Sequence, residues 1–394
     1  MKKFLILTIG AIFIIPLGDV ILAVLSIIKK ANILPGVNVW YPQFLALLIV
    51  FLLGVALVLW GFNKWISVFI ALCIISAVFV TRQYTKSMIH LFCINFACLA
   101  SYIISKFDKK QRRIILRVII ALFIFQVLWV TMQFFNLDRL YNKIGNPAID
   151  DPVGLAGSPN QIGVFFAVIS PVVLSVCPYL IPLAIFGIWC SKTATAWGAF
   201  VIASLFFTWR KSKKIFSIAV LVLFVCTGAY FLKIDNVSPL VLEQRFSAVK
   251  LAFNSINSGK ITLHRGNVEK VMTCNPLLGF GLGVTEDLIP FYKGSPNTEH
   301  AVYNHFHNDY AELLFTLGWT GFIVLIGWLV NLIWRFYKLK DKKEASIYAL
   351  CILSYMICST MLFPTYIAIS AMFFILFYGM LEGAIRDGQI TVGC

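Results

Sequence analysis

Charge is scarce in this sequence. Charged residues make up 13% of it, and Asp and Glu together number 17 against 33 Lys and Arg. Histidine is scarcer still, with 5 in the chain. Internal repeats and low-complexity tracts are missing, and so is the short alternation of apolar and polar positions that a membrane β-barrel needs. A soluble globule is excluded from the other direction. With 60% hydrophobic residues and a mean hydropathy of +0.87, the chain has more apolar surface than one buried core requires. The 10 cysteines form no disulfide framework. Most lie inside apolar runs, where Cys behaves as a small hydrophobe, and Cys274 stands alone in a long polar stretch.

What is present is a series of apolar runs that reach or approach the length needed to span hydrocarbon. The fold class is therefore an all-α polytopic membrane protein, with about twelve transmembrane helices and one large extracytoplasmic loop. The runs predict helices at 4–28, 43–61, 66–80, 88–105, 114–135, 161–177, 178–190, 194–209, 215–232, 309–334, 345–362 and 364–382. The 178–190 run is short for a full crossing. Met1-Lys2-Lys3 before an apolar run is similar to a signal peptide, but the run is long and has no clean small-residue cleavage site. It reads as an uncleaved first helix.

The net charge of +16 does not point to nucleic acid. The cations sit in short clusters between apolar runs: Lys2-Lys3, Lys106 to Arg113, Arg210 to Lys214 and Arg335 to Lys343. That is the pattern of the positive-inside rule, with contact to membrane lipids as a secondary role. It puts those clusters, and both chain ends, on the cytoplasmic side. The loops at 136–160 and 233–308 then fall outside. Lys29-Lys30, Arg82 and Lys86 are outer-side exceptions. Residues 1–394 read as a single integral membrane domain, with 233–308 as a large periplasmic loop inserted between spans.

Chemistry-bearing residues gather at the outer side. Four histidines, His264, His300, His305 and His307, lie in the 233–308 segment. The segment ends in His305-Phe306-His307-Asn308-Asp309-Tyr310-Ala311-Glu312, where it runs into an apolar helix. Asn308 is placed to cap that helix. Glu312 is expected one turn in, at the membrane surface on the face of Asn308. An acid there beside a histidine suits proton transfer. Gly318 and Gly321 are expected to let a neighbouring helix approach. Arg245, Lys250, Arg265 and Lys270 supply cations in the same segment, and arginine's fork of donors suits phosphate or pyrophosphate. No His-Glu-x-x-His is present and no cysteine joins His305 and His307, so no metal site is expected.

Three turns add to this. Gly154-Leu155-Ala156-Gly157-Ser158-Pro159-Asn160-Gln161 is a turn entering a helix, with Asn160 a candidate cap. Ser191-Lys192-Thr193-Ala194 is a polar break in which Lys192 either snorkels to the interface or faces an anionic substrate. Asn275-Pro276-Leu277-Leu278-Gly279-Phe280-Gly281-Leu282-Gly283 is glycine-rich but lacks the strand and helix of a dinucleotide site. Its amides are a candidate anion-binding concavity.

Taken in order, these residues resemble the bacterial O-antigen ligase and O-antigen polymerase superfamily. His307-Asn308, nine residues, Gly318, two residues and Gly321 are similar to its signature. Gly157-Ser158-Pro159-Asn160 resembles its turn before a helix. Arg265 followed by Asn275 to Gly283 resembles its Arg and Pro-Leu-Leu-Gly-x-Gly stretch. The resemblance covers about residues 150–330. It implies a GT-C-like membrane glycosyltransferase, independent of metal and cofactor, in the bacterial inner membrane with its site facing the periplasm. The donor would be an undecaprenyl-pyrophosphate-linked glycan. The acceptor would be lipid A-core for a ligase, a growing glycan for a polymerase, or a protein hydroxyl.

Residue by residue, the resemblance makes His307 the base or acceptor-orienting group and Arg265 the pyrophosphate holder. Arg245, Lys192, Asn160, His305, Asn308 and Glu312 would line the substrate. Where the family often carries arginine in a Ser/Thr-x-Thr/Ser-Arg stretch, this chain has Ala194, so Lys192 or Arg245 would supply that charge. A transporter or flippase for a lipid-linked glycan is the rival class. It would require ionisable residues in mid-span and helices broken in matching halves. This chain shows few such charges, with Asp19 the main exception.

Overall fold

The structure is a computed structural model that describes residues 62–80, 84–135, 137, 152–156, 158–191, 193–214, 216, 217, 220, 275–285, 308–339, 342–360, 362, 364–366 and 368–390. Every regular element among them is helical. In chain order the helices are α1 (Lys64–Ile75), α2 (Tyr84–Ser105), α3 (Lys109–Phe134), α4 (Pro159–Val176), α5 (Ile181–Ser191), α6 (Ala194–Lys211), α7 (Asp309–Tyr337), α8 (Lys343–Cys358) and α9 (Ala368–Ile390). A π-turn, Ser76–Val80, follows α1, and 3-10 turns occupy Gly154–Ala156, Pro178–Leu180 and Pro364–Tyr366.

Among the described residues, four helical stretches are long and apolar enough to cross a membrane: Lys109–Phe134, Pro159–Val176, Asp309–Tyr337 and Ile369–Gln389. Shorter apolar helices cover Lys64–Ile75, Ile89–Ser105 and Pro178–Ser191. The chain is a helical membrane protein. The expected helices at 4–28, 43–61 and 215–232, and most of the 233–308 segment, lie outside the described residues.

The bundle is built around α4, which packs against α3, α5, α6, α8 and α9. Its apolar residues from Ile162 to Val173 are almost wholly enclosed, with Phe123 and Phe373 closing on Phe166 and Phe165 edge to face. Pro171 inside α4 has no N–H for the carbonyl of Ala167. The Ser170 hydroxyl donates to that carbonyl at 2.8 Å, so the proline leaves no stranded acceptor. A second group of contacts joins α2 to α9 and α1 to α7. In α7 the Trp65 ring of α1 lies against Gly327, which has no side chain to hold it off. Cys73, Cys190, Cys351 and Cys358 are buried among these apolar side chains.

One end of the bundle is tied by ion pairs. Asp108 and Gln111 cap α3 reciprocally, at 2.8 and 2.9 Å. Just beyond, the enclosed Arg112 donates to Glu344 at 2.8 Å, to Asp387 at 2.9 Å and to the carbonyl of Phe107 at 2.7 Å, joining α3, α8 and α9. A second node joins α1, α7 and α9. Arg335 meets Glu382 at 2.7 and 2.9 Å, Tyr378 donates to Glu382 at 2.8 Å, and Asn63 and Trp328 donate to Tyr378 at 3.0 and 3.2 Å. The basic clusters at 106–113 and 335–343 thus share one end, as the charge pattern predicts. We call it the basic end.

Glu382 is 2% exposed, so losing its partner leaves a carboxylate in apolar surroundings. Arg335→Ala is expected to destabilise the protein by about 3 kcal/mol, and Glu382→Gln in the same chain to recover part of that loss. SDS-induced unfolding in mixed micelles measures both.

Candidate functional site

The candidate site lies at the opposite end of the bundle and begins with a broken helix. Gly318 in α7 has φ 63° and ψ −161°, far outside helical values. A break there frees the carbonyls of Phe315 and Thr316 and the N–H groups of Trp319 and Thr320, which an unbroken helix would pair with one another. The turn at 276–281 takes all four. Phe280 N–H donates to Phe315 O at 2.9 Å and Gly281 N–H to Thr316 O at 3.0 Å. Trp319 N–H donates to Pro276 O at 2.9 Å and Thr320 N–H to Leu277 O at 3.2 Å.

The two backbones meet at Gly279 and Gly318. A Cβ on Gly318 would stand 2.5 Å from Leu277 O, and one on Gly279 would stand 2.6 Å from Phe315 O. Gly279, Gly281 and Gly283 all have positive φ, at 66°, 104° and 77°. This explains the alternating glycines and corrects two expectations. Gly318 admits the glycine-rich turn, not a neighbouring helix, and a Cβ on Gly321 would first meet the Leu317 side chain of its own helix. The turn is also no anion-binding concavity. The Phe280 and Gly281 amides serve α7, Gly279 N–H donates to Asn275 O, and Leu282 N–H donates to Ser76 Oγ at 2.9 Å. Ser87 Oγ donates to Leu282 O, so α1 and α2 clip the turn from behind.

The head of α7 is held as firmly. Asn308 caps it, its Oδ1 accepting from Tyr310 N–H at 2.9 Å and Ala311 N–H at 3.0 Å, as expected. Asp309 then locks the helix sideways. Its N–H donates to Ser359 O at 3.0 Å, and its Oδ2 accepts from the Thr365 hydroxyl at 2.7 Å and the Thr365 N–H at 3.3 Å. Thr365 Oγ1 also bonds Tyr355 at 2.9 Å, and Tyr310 OH donates to Met356 O at 2.8 Å. Glu312, one turn in, is 1% exposed and turned into the protein.

Asn160 sits in the first turn of α4 and does not cap it. Pro159, with fixed φ and no N–H, takes the first helical position and leaves the cap position to Ser158. Asn160 is exposed, and its Oδ1 accepts from Thr193 Oγ1 at 3.3 Å. That bond brings Asn160 beside the Ser191–Thr193 break that carries Lys192. Next to it, Gln161 accepts from Ser370 at 3.2 Å, linking α4 to the start of α9 just past Thr365. Gln133 at the end of α3 accepts from Val153 N–H at 3.0 Å and Gly154 N–H at 2.8 Å, holding the turn that leads into α4.

Of the residues singled out from the sequence, Asn160, Asn308 and Glu312 are thereby placed. His307, Arg265, Arg245, Lys192 and His305 lie outside the described residues. Asp309, Thr365, Gln133 and Gln161 were not singled out, although Asp309 adjoins the His307-Asn308 pair and was open to inspection. Among the described residues, no three His, Cys, Asp or Glu side chains are grouped to hold a metal ion.

Residues 179–326 match the family model described as O-antigen ligase. Over that segment the chain is similar to the O-antigen ligase and polymerase superfamily. The matched segment runs from the 3-10 turn before α5 through the glycine-rich turn and the broken part of α7. No curated protein sequence matches the chain.

Gly318→Ala and Gly279→Ala each put a Cβ on a positive φ and into backbone. Each is expected to cost about 3 kcal/mol or more, whereas Gly198→Ala, in open space on α6, gains up to about 1 kcal/mol. Thr365→Val strips a donor from the half-buried Asp309 carboxylate and should cost about 1–2 kcal/mol, with Thr365→Ser near the parent. SDS unfolding midpoints test both series.

Proposed function

We propose that the protein is an O-antigen ligase that moves a glycan from undecaprenyl pyrophosphate to a hydroxyl of lipid A-core. The transfer takes place at the outer leaflet of the bacterial inner membrane. The O-antigen ligase match over residues 179–326 carries this reading. The anchored head of α7 supports it, since Asn308 caps the helix and Asp309 is bonded to Ser359 and Thr365.

In this reading His307, immediately before the cap, accepts the proton of the attacking hydroxyl. The oxygen displaces the carrier at the anomeric carbon, and the pyrophosphate leaves with the bonding pair. Arg265 stabilises the charge that builds on it, with Lys192 or Arg245 in place of the arginine the family often has where this chain carries Ala194. Pyrophosphate needs no strong acid to leave, so positioning supplies most of the acceleration. The end of the bundle opposite the basic clusters faces the periplasm in this arrangement, and Asn160 borders the substrate near Lys192.

The test is transfer in vitro, with purified protein, an undecaprenyl-pyrophosphate-linked glycan, and either rough lipid A-core or further donor as acceptor. Glycan on lipid A-core is the expected product. Lengthened lipid-linked chains in its place would make the protein a polymerase of the same superfamily. His307→Ala is expected to reduce transfer by at least about a thousandfold while leaving the unfolding midpoint unchanged. Near-normal transfer by that variant would remove His307 from the mechanism.

A further inference from the structure

The start of α3 carries a cationic patch that the fold does not use. Lys109, Lys110, Arg113 and Arg117 are exposed and, with Ile114, line a shallow groove of about 450 Å³. Their neighbour Arg112 faces the other way and takes up the Glu344 and Asp387 carboxylates. Among the described residues, none of the four exposed cations has an ion-pair partner.

Helical spacing continues this face into an apolar one. Ala121, Ile124, Phe125, Leu128 and Met132 are exposed further along α3, while the opposite face packs on α4 and α5. Arg117 stands roughly 12 Å along the helix axis from Lys109, at the border between the basic end and the lipid-facing stripe. An arginine at that depth on a lipid-facing surface snorkels to the headgroup level, where an anion that arrives with hydrocarbon attached is within its reach.

We propose that this groove binds an anionic phospholipid of the leaflet at the basic end. Its phosphate sits in the forks of Arg113 and Arg117, and its acyl chains run along Ile124 and Leu128. Lys109 and Lys110 form the rim nearer water. The occupant is a lipid and not a free anion, because the apolar stripe begins where the cations stop. The site is distinct from the one that holds Asn308, which lies at the opposite end of the bundle.

The test is native mass spectrometry of the full chain, titrated with phosphatidylglycerol or phosphatidylcholine. The parent is expected to retain phosphatidylglycerol in preference to phosphatidylcholine. Arg113→Gln with Arg117→Gln is expected to weaken that retention by roughly 10- to 30-fold. Lys213→Gln with Lys214→Gln removes two exposed cations elsewhere at the basic end and is expected to leave it unchanged. Equal losses in the two double variants, or equal retention of the two lipids by the parent, would overturn the proposal. Millimolar inorganic pyrophosphate is expected not to displace the lipid, and displacement would overturn the choice of a lipid as occupant. Both substituted pairs are exposed, and an unchanged unfolding midpoint in each variant separates lost binding from lost fold.

Discussion

Four backbone hydrogen bonds between the break in α7 and the turn at 276–281 hold the candidate site in place. Among hydrocarbon and apolar side chains no water is at hand for a freed carbonyl or amide, and each one left unpaired costs several kcal/mol. The break at Gly318 is therefore tolerable only while the turn is seated, and the turn is seated only because the break exposes those groups. Ser76 and Ser87 fix the far side of the turn, so α1 and α2 take their positions from the same contact. The short upper part of α7, which carries Asn308 and Asp309, is aimed by that break.

The two ends of the bundle are built from different chemistry. The basic end is closed by guanidinium–carboxylate contacts of 2.7–2.9 Å, in each of which one partner, Arg112 or Glu382, is enclosed. The other end is joined mostly by hydroxyl, amide and backbone contacts, such as Thr193 on Asn160 and Ser370 on Gln161. Fixed ion pairs are strongly directional and resist separation.

Much of the helical layout was legible because membrane spans announce themselves by length and apolarity. The predicted spans near 161–177, 194–209 and 309–334 appear as Pro159–Val176, Ala194–Lys211 and Asp309–Tyr337. Two of the misjudged ends share a cause. Hydropathy stops at the first charge, whereas Lys109 to Arg113 and Arg386-Asp387 are helical residues that continue α3 and α9 into their ion pairs. Asn308 was readable as a cap because capping is local. The partnership of Gly279 with Gly318 was not, since it depends on two backbones meeting from distant parts of the chain. Asn160 was misread because the proline before it, by occupying the first helical position, moves the cap two residues upstream, to Ser158. Glu312 was misread because its enclosure comes from the packing of the bundle and not from its own helix.

The ion-pair nodes also carry a constraint on biogenesis. Arg112 waits for Glu344, 232 residues later, and for Asp387, 275 residues later, while Asn63 waits for Tyr378, 315 residues later. Both late partners, Asp387 and Tyr378, belong to α9, which also packs along α2. Helices that enter the membrane early therefore stand with charged and polar groups unpaired for most of synthesis, held at the headgroup level. The bundle closes when α9 emerges, so assembly is gated by the last of the described helices, and a nascent chain stopped before it would hold its helices side by side without locking them.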